Sequence, residues 1–383
     1  MECMSKKKVL IVVGTRPNFI KVTQFKRVAQ NYPQLDIRIV HTSQHFSDEM
    51  SRLFFEELDL QPDYFLNLPE KLSPVPQMAE IMKGLHDLIT TTFKPDLMMV
   101  VGDVNSTLAG ALVANKMNIP LAHLESGLRS FDNTMPEEHN RVLTDKLAHY
   151  LFVTEEDALN KEEDALNNLK YEGIKEDKIF FVGNTMIDTL VAYRDKIHQS
   201  NILKELDIAP KTYALITLHS PNNVDTKEGL EKIISFLKLL DNHFSNSIKH
   251  FVFPIHPRTE NNFKHFQLWE SLMNIPSLIL TKPQSYLNFQ KLLMESILVI
   301  TDSGGVQEET TYLNIPCITL RPSTERPMTL WKGSNILLEF DENNIANYIH
   351  YLLNTTDKPS SIPPLWDGKA TERVVAVLND LLK

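Results

Sequence analysis

The sequence predicts an α/β protein built from two Rossmann-like domains, each with a doubly wound parallel sheet. Its 383 residues exceed the usual size of one domain, roughly 150 residues. Apolar runs of strand length alternate with amphipathic helical stretches, a pattern typical of parallel strands covered by helices on both faces. The alternation starts again after a polar, charged stretch at residues 194–211. The length of the chain, the alternation of strands with helices and its second start after residue 211 together predict two domains of the same class.

The first domain is predicted to cover residues 1–190. A basic N-terminal segment leads into a short apolar run that ends at Gly14, which favours a first strand over a signal peptide. Further apolar runs follow, with room for a helix between them. The predicted strands are residues 9–13, 37–40, 97–101, 121–124, 150–153 and 179–182.

The second domain is predicted to cover residues 191–368, with strands at 215–218, 251–255, 278–280, 297–300, 317–320 and 336–338. The last segment, residues 369–383, is predicted to form a closing helix. Its apolar residues recur at helical spacing and would share one face: Val374, Val377, Leu378, Leu381 and Leu382.

The composition indicates an ordinary folded protein and disfavours several classes of partner. Apolar residues make up 42% of the chain and charged residues 23%. Thirty-nine Lys and Arg against 49 Asp and Glu give a net charge of -10, which disfavours nucleic acid or an anionic membrane as the main partner. No apolar stretch approaches the roughly 20 residues of a membrane span. Cys3 and Cys317 are too few for a disulfide framework or a four-sulfur metal site, so a cytoplasmic location is expected.

Glycines mark the ends of predicted strands. In open α/β sheets ligands bind beyond the carboxyl ends of the strands, where glycine lets the backbone approach a phosphate. One such glycine is more typical of a plain turn. Several, followed by charged or hydroxyl residues, favour a ligand site: Gly14, Gly102, Gly127, Gly183, Gly304 and Gly305.

The strongest candidate site is the segment 301–309, Thr-Asp-Ser-Gly-Gly-Val-Gln-Glu-Glu, directly after a predicted strand. A helix that begins near Ser303, Gly304 and Gly305 would offer a hydroxyl and backbone N–H groups to a phosphate at its positive end. Glu309, about one and a half turns along, could accept hydrogen bonds from both hydroxyls of a ribose. A capped helix without a ligand explains the same residues, and both interpretations stay open on this segment alone.

Two cations follow the first predicted strand. Arg16 lies on the turn after Gly14, and Lys21 lies on the helix that this turn begins. The turn has neither the GxGxxG spacing of a dinucleotide fingerprint nor the GK[ST] of a P-loop, so neither type of site is supported. The cations could bind phosphate, although isolated Lys and Arg are usually solvated.

Carboxylates follow other strands of the first domain. If these carboxylates lie together at one edge of the sheet beside cations, they could hold a sugar and transfer protons. Repulsion between the carboxylates, and attraction to the cations, would separate their pKa values. One of the adjacent pair Glu137 and Glu138 is expected only to favour the first turn of a helix. The acid/base candidates and the nearby cations are Asp103, Glu125, Glu137, Arg129 and Arg141.

Two histidines end adjacent strands of the second domain. His219 and His256 would both lie on the ligand side of the sheet, which favours a functional role over the structural role that a lone histidine usually has. No HExxH or other metal-ligand spacing is present among the 13 histidines, so no metal centre is predicted.

Seven short motifs occur in order: Gly14-Thr15-Arg16-Pro17, Gly102-Asp103, Glu125-Ser126-Gly127-Leu128-Arg129, Met135-Pro136-Glu137-Glu138-x-Asn140-Arg141, Gly183-Asn184-Thr185, Asp302-Ser303-Gly304-Gly305-x-Gln307-Glu308-Glu309 and Thr324-Glu325-Arg326-Pro327. In this order, across residues 7 to about 340, they resemble the non-hydrolysing UDP-N-acetylglucosamine 2-epimerase family.

This resemblance implies a glycosyltransferase-B-like fold, in which two Rossmann-like domains face a cleft and the last helix returns to the first domain. It also implies interconversion of UDP-N-acetylglucosamine and UDP-N-acetylmannosamine, by elimination of UDP to a 2-acetamidoglucal and re-addition to the other face. No cofactor is implied. The partner implied is the UDP-sugar substrate, and the expected setting is a cytoplasmic homodimer that serves envelope or capsule polysaccharide synthesis.

Matched motif by motif, the resemblance also implies residue roles. The residues that resemble the family's catalytic groups are Asp103, Glu125, Glu137 and, near the phosphates, His219. Those that resemble its UDP contacts are Arg16, Ser303, Gly304, Gly305 and Arg326 for the diphosphate, Glu309 for the ribose and Phe289 for the uracil. Those expected to support the site or contact the hexose are Lys21, Arg129 and Arg141.

The sequence departs from the family's pattern in three places. Ser220 follows His219 where the family usually has arginine, so a bidentate guanidinium is missing there. The family's Gly-Gln-His reads Ser43-Gln44-His45, and residues 68–78 contain no arginine. The last two departures weaken the expectation that a second UDP-sugar regulates the enzyme.

Four other functions stay open on the sequence. Fold alone does not decide function, so a UDP-sugar glycosyltransferase on the same fold stays open. The carboxylate cluster of the first domain disfavours it. A hydrolysing epimerase would release UDP and free N-acetylmannosamine. Ser220 could reflect a UDP-2,3-diacetamido uronic acid as substrate, or a UDP-sugar binding protein that has lost turnover.

Overall fold

The computed structural model describes residues 6–43, 54–69, 72–156, 164–355 and 360–383. The chain divides into two compact units: unit 1 comprises Met1–Ala192 with Pro364–Lys383, and unit 2 comprises Tyr193–Pro363. Each unit contains one parallel sheet with helices, so the prediction of two Rossmann-like α/β domains is confirmed.

The sheet of unit 1 has the strand order β3-β2-β1-β4-β5-β6-β7 in the described residues. Every neighbouring pair is parallel. All predicted strands of this half are present, and the short edge strand β3 is additional because two residues leave no apolar run to recognise. The strands are β1 Lys7–Val13, β2 Leu35–His41, β3 Tyr64–Phe65, β4 Leu97–Val101, β5 Leu121–Leu124, β6 Tyr150–Val153 and β7 Ile179–Phe181.

Helices connect these strands and cover the sheet. Three of the helices, α1, α3 and α5, have proline at their first or second position, where the missing N–H costs no hydrogen bond. The helices of this part are α1 Arg16–Val22, α2 Phe25–Ala29, α3 Pro74–Thr91, α4 Asn105–Lys116, α5 Pro136–Leu147, α6 Ala165–Tyr171 and α7 Thr185–Ala192.

The sheet of unit 2 has the strand order β10-β9-β8-β11-β12-β13 in the described residues, again all parallel. All strands predicted for this half are present: β8 Tyr213–Thr217, β9 His250–Pro254, β10 Leu278–Thr281, β11 Leu298–Thr301, β12 Cys317–Leu320 and β13 Asn335–Leu338. The helices are α8 Arg194–Gln199, α9 Ile202–Glu205, α10 Pro221–Val224, α11 Lys227–Phe244, α12 Pro257–His265, α13 Trp269–Met273, α14 Tyr286–Met294, α15 Gly304–Leu313, α16 Pro327–Trp331 and α17 Glu342–Asn354.

Both sheets are buried by apolar side chains on their two faces. In unit 1 the last five residues of β1 are buried, and in unit 2 the whole of β8 is buried. Strands that are covered on both sides need near-continuous apolar runs. This is the physical reason that the strands could be read from the sequence.

The chain returns to unit 1 at Pro364, earlier than residue 369 where the sequence predicts the closing helix to begin. The indole N–H of Trp366 donates to the carbonyl of Thr154 at 2.9 Å, which anchors the segment before the helix. Helix α18, Ala370–Leu381, packs on α2 and α7. Its first N–H groups donate to the buried carboxylate of Asp188 on α7.

None of the helices in the residues that the structure covers is both long and apolar enough to cross a bilayer.

Candidate active site

The strand order places the candidate residues at the switch point of each sheet. β1 lies between β2 and β4 in unit 1, and β8 lies between β9 and β11 in unit 2. Ligands of open parallel sheets bind beyond the carboxyl ends of the strands at this point. Arg16 and Asp103 follow β1 and β4, whereas His219 and Ser303 follow β8 and β11.

A buried ion pair joins α1 to the end of β5. Lys21 Nζ contacts Glu125 Oε2, and the two side chains are only 7% and 5% exposed. Asn18, about one turn before Lys21, donates to the carbonyl of Val101 at 3.2 Å and so ties α1 to β4. Lys21 is therefore not a solvated surface charge, because its buried ammonium is compensated by a carboxylate.

Glu125 occupies an unusual backbone conformation. Its φ is +70°, in the left-handed region that costs a residue other than glycine about 1–2 kcal/mol. The N–H groups of Glu125 and Ser126 both donate to the carbonyl of Phe152, at 3.0 and 3.1 Å, and hold this conformation. Backbone strain that is held in place at a carboxylate is typical of functional sites.

Asp103 is held by α5. Arg141 Nε donates to Asp103 Oδ2 at 2.9 Å, and Asn140 Nδ2 donates to the Asp103 carbonyl at 2.8 Å. The Asp103 side chain is still 24% exposed, whereas the Arg141 side chain is 3% exposed. An oriented and partly exposed carboxylate is suited to accept a proton from a bound molecule.

The adjacent residues Glu137 and Glu138 have different surroundings. The Glu138 carboxylate accepts from the Ser130 N–H and hydroxyl, both at 2.9 Å, and from the Phe131 N–H at 3.0 Å. Glu138 is therefore the member of the pair that has a structural role. Glu137 is half-buried in the first turn of α5 and makes no hydrogen bond or ion pair with the described residues.

Arg129 is buried and paired on several sides. Its side chain is 1% exposed and its guanidinium is engaged by Asp145 at 2.7 Å and by Glu172 at 2.7 and 3.0 Å. A further N–H donates to the carbonyl of Leu128. Burial alone would lower the pKa of Arg129, but Glu172 and Asp145 outweigh it and raise the pKa. These contacts fit the supporting role that was one of the two expected for Arg129, and a hexose contact stays a prediction.

Two of the strand-end glycines are explained by packing rather than by a ligand. A Cβ at Gly127 would lie 2.2 Å from the carbonyl oxygen of Ala165 on α6. A Cβ at Gly183 would lie 2.1 Å from the carbonyl oxygen of Leu365, in the segment that returns to unit 1. Both glycines allow one backbone to pass close to another. They are removed from the set that the sequence indicated as ligand-binding.

His219 in unit 2 is oriented by Asp302. The Asp302 carboxylate accepts from the backbone N–H groups of His219 and Ser220, and it lies 3.3 Å from His219 Nδ1. If Nδ1 carries the proton toward this carboxylate, Nε2 is the ring nitrogen left for a ligand. The His219 side chain is 44% exposed. The imidazole ring of His256 lies 5.8 Å away, between centroids.

The N-terminus of α15 has the features of an anion site. Ser303 is its N-cap and makes no side-chain capping hydrogen bond. The first N–H groups of a helix have no partner within the helix and carry its positive end. Gly304 also admits the Glu325 carboxylate, because a Cβ there would lie 2.6 Å from Glu325 Oε1.

Arg326, expected to contact the diphosphate, is buried and paired with carboxylates. Its side chain is 6% exposed, its Nε lies 3.0 Å from Glu308 Oε2 and its Nη1 lies 3.2 Å from Glu325 Oε1. Arg321 contacts the other Glu325 oxygen at 3.0 Å. Two carboxylates thus already compensate the Arg326 charge, so this residue carries less weight in the candidate phosphate site than Ser303.

The remaining predicted contacts are dispersed over the two units. In unit 1, the Arg16 guanidinium lies over the Phe54 ring, 5.1 Å from its centroid. In unit 2, Glu309 is buried on α15, and Phe289 on α14 is half-buried against the core. Gly305 belongs to the first turn of α15.

Several site residues gave no separate signal in the sequence. Asn18, Asn140 and Asp302 each fix a turn or a side chain of the candidate site, as described above. Their roles depend on hydrogen bonds to residues far along the chain, such as Asn140 to Asp103. Only their positions inside the quoted motifs, or directly after a strand-end turn, could have indicated them.

The described residues contain no group of three His, Cys, Asp or Glu side chains arranged to hold a metal ion. Gln44, His45 and Cys3 lie outside the described residues. Cys317 is buried in β12 and is a free thiol.

A family model and several curated relatives are similar to this chain over most of its length. The family model described as UDP-N-acetylglucosamine 2-epimerase matches residues 27–379. A UDP-N-acetylglucosamine 2-epimerase of Methanocaldococcus jannaschii is 40% identical over 375 residues, covering 97% of this chain and 98% of the relative. A UDP-2,3-diacetamido-2,3-dideoxy-D-glucuronate 2-epimerase of Pseudomonas aeruginosa is 37% identical over 335 residues, covering 86% and 88%.

A solved structure has a similar fold. The crystal structure of the Methanocaldococcus jannaschii enzyme with UDP-GlcNAc and UDP superposes with a TM-score of 0.87 at 39% identity, covering 97% of this chain and 99% of that one. The predicted glycosyltransferase-B-like fold class is confirmed. With a model match over most of its length and relatives of this identity, the chain belongs to the UDP-N-acetylglucosamine 2-epimerase family.

Proposed function

We propose that the chain is a non-hydrolysing 2-epimerase that interconverts UDP-N-acetylglucosamine and UDP-N-acetylmannosamine. One observation carries the proposal: Asp103 and Glu125 lie at the carboxyl ends of β4 and β5, each held by a cation, Arg141 or Lys21. Paired carboxylates in different surroundings can divide the roles of acid and base.

The proposed reaction begins with loss of the proton at C2. A carboxylate accepts this proton, the bond between C1 and the oxygen of the β-phosphate breaks, and a 2-acetamidoglucal and UDP form. UDP then adds back through the same oxygen to C1, and a proton returns to C2 on the other face. Because the proton leaves from one face and returns to the other, two acid/base groups are needed. Asp103, Glu125 and Glu137 are the candidates.

Unit 2 supports the departure of UDP. The breaking bond leaves negative charge on the β-phosphate, which the N–H groups at the start of α15 and the Ser303 hydroxyl can stabilise. His219, oriented by Asp302, can donate a further hydrogen bond from Nε2 if its ring carries both protons. Glu309 is assigned to the ribose hydroxyls and Phe289 to the uracil. We assign the pathway to cytoplasmic polysaccharide synthesis and the active form to a homodimer.

The test of the reaction type is incubation with UDP-N-acetylglucosamine in D2O, followed by NMR. Product and recovered substrate should both carry deuterium at C2, because the proton exchanges with solvent at the carboxylate. Retention of the original hydrogen would contradict elimination. Accumulation of free N-acetylmannosamine would show a hydrolysing enzyme instead.

A second substrate is supported by two observations: Ser220 replaces the family's usual arginine, and the Pseudomonas aeruginosa relative acts on a 2,3-diacetamido uronic acid. The Ser220 N–H donates to Asp302 and its hydroxyl lies 3.4 Å from the Asp302 carbonyl, so the residue borders His219. A small side chain there leaves room for another sugar substituent. Wild type and Ser220→Arg should be compared on both UDP-sugars. A wild-type preference of about tenfold or more for the uronic acid would identify it as the substrate.

A further inference from the structure

Helix α5 has an unusual buried face. Its buried residues are all polar: Glu138, Asn140, Arg141, Thr144 and Asp145. Buried polar groups are costly unless they are hydrogen-bonded, so a helix of this kind needs a reason to be retained. Arg141 and Asn140 hold Asp103, as described above. Asp145 lies one turn after Arg141 on the same face. It does not contact Asp103 but is connected to the Asp103 turn through another side chain.

That side chain is His123, in β5. It is completely buried, and both ring nitrogens face hydrogen-bond acceptors. Nδ1 lies 2.6 Å from Asp145 Oδ1, and Nε2 lies 2.8 Å from the backbone carbonyl oxygen of Gly102. A carbonyl oxygen only accepts, so Nε2 carries a hydrogen. A neutral imidazole has one N–H, and the proton count at Nδ1 therefore decides the charge of the ring.

The surroundings of Asp145 favour a carboxylate, and hence a proton on Nδ1. Its second oxygen accepts from the Gly127 N–H at 3.1 Å and from Arg129 at 2.7 Å. Burial alone would raise the pKa of Asp145, but His123 and Arg129 outweigh it and hold the pKa below its ordinary value. Glu172 in turn compensates Arg129. His123, Asp145, Arg129 and the half-buried Glu172 thus form one continuous row of hydrogen bonds.

We infer that His123 is a positioning residue that donates from both ring nitrogens and fixes the turn carrying Asp103. Three side-chain hydrogen bonds to Gly102 and Asp103 hold this turn. His123 binds the Gly102 carbonyl, Asn140 binds the Asp103 carbonyl, and Arg141 binds the Asp103 carboxylate. A charged donor makes the first of these bonds stronger than a neutral imidazole would.

The groups that face the ring are known from each neighbouring element. Asp145 faces it from α5, the Gly102 carbonyl from the end of β4, and Arg129 is joined to it through Asp145. Each ring nitrogen of His123 therefore has a hydrogen-bond acceptor opposite it.

The first experiment measures the ring directly. Long-range ¹H–¹⁵N spectra of the wild-type protein, with His123 assigned by comparison with His123→Gln, should show a hydrogen on both ring nitrogens. A ring with one hydrogen would overturn the inference. This result stands whether or not the chain turns over a UDP-sugar, so failure of the proposed function and failure of the inference are distinguishable.

The second experiment rests on the proposed function and uses Asp145→Asn. We expect kcat to fall about 100-fold with KM changed less than about threefold, because a misplaced base affects the chemical step. The matched control is His149→Gln. His149 also contacts the β5 backbone, but at the opposite end of the strand, where its Nδ1 accepts from the Leu121 N–H at 3.2 Å.

A kcat for Asp145→Asn within threefold of wild type, or an equal change in kcat and KM, would overturn the positioning role. If Asp145→Asn does not fold, the wild-type ring spectrum decides the inference alone.

Discussion

At the scale of residues, charges in unit 1 are paired in two different ways. Lys21 with Glu125 and Arg141 with Asp103 bring carboxylates to the strand ends, and Asp103 stays partly exposed. Arg129 with Asp145 is fully buried and serves the interior. The candidate acid/base groups are distinguished by the partial exposure of Asp103 and by the strained backbone of Glu125. The presence of charge alone does not distinguish them from the supporting residues.

The first prediction concerns Asp103. Asp103→Asn removes a proton acceptor with little change of shape, and the new amide oxygen can still accept from Arg141. Turnover should fall by roughly two or more orders of magnitude, the usual scale of acid/base contributions. Coupled assays of epimerisation measure this, and Asp87→Asn, on the exposed side of α3, is the control. A variant that keeps more than about a tenth of wild-type turnover would remove Asp103 from the proton-transfer role.

At the scale of elements, close backbone approaches fasten the terminal segment to unit 1. Leu365 passes Gly183 directly, Trp366 donates to Thr154, and Asp188 caps α18. Helix α18 therefore depends on three anchors that precede or begin it. Its own apolar face, through Val374 and Leu378, adds the burial.

The second prediction uses two glycines with similar backbone conformations. Gly183 has φ +86° and its Cβ would clash with the Leu365 carbonyl, whereas Gly173 has φ +79° and open space around it. Gly183→Ala should lower the free energy of unfolding by more than about 2 kcal/mol. Gly173→Ala should cost only about 1–2 kcal/mol, the left-handed strain alone. Urea unfolding followed by tryptophan fluorescence compares them, and equal losses would contradict the close approach as the cause.

At the scale of the whole molecule, the proposed chemistry is divided between the two units. The carboxylates belong to unit 1, and the helix terminus at Ser303 with Glu309 belongs to unit 2. Variants in one unit should therefore change turnover and variants in the other should change UDP affinity.

The third prediction tests this division with Glu309→Gln. A hydrogen bond from a ribose hydroxyl to the charged Glu309 carboxylate contributes about 1.5–3 kcal/mol. Its loss should raise the Kd for UDP about tenfold or more. Titration calorimetry should give unchanged UDP affinity for Asp103→Asn and for the control Glu260→Gln, which lies in the exposed Glu260–Lys264 pair. Weak UDP binding by Asp103→Asn would show that the two roles are not separable.

The sequence by itself determined the strands, the two-domain α/β class and the family. Buried parallel strands require continuous apolar runs, and motif order survives in the chain whatever its folding. Only the tertiary structure decided which charged residues are paired and buried. Arg129, which was expected to support the site or contact the hexose, is held by Glu172, 43 residues away, and Gly183 allows Leu365 to pass close to it. Burial and pairing are set by contacts between distant segments, and a local pattern carries no information about which segments meet.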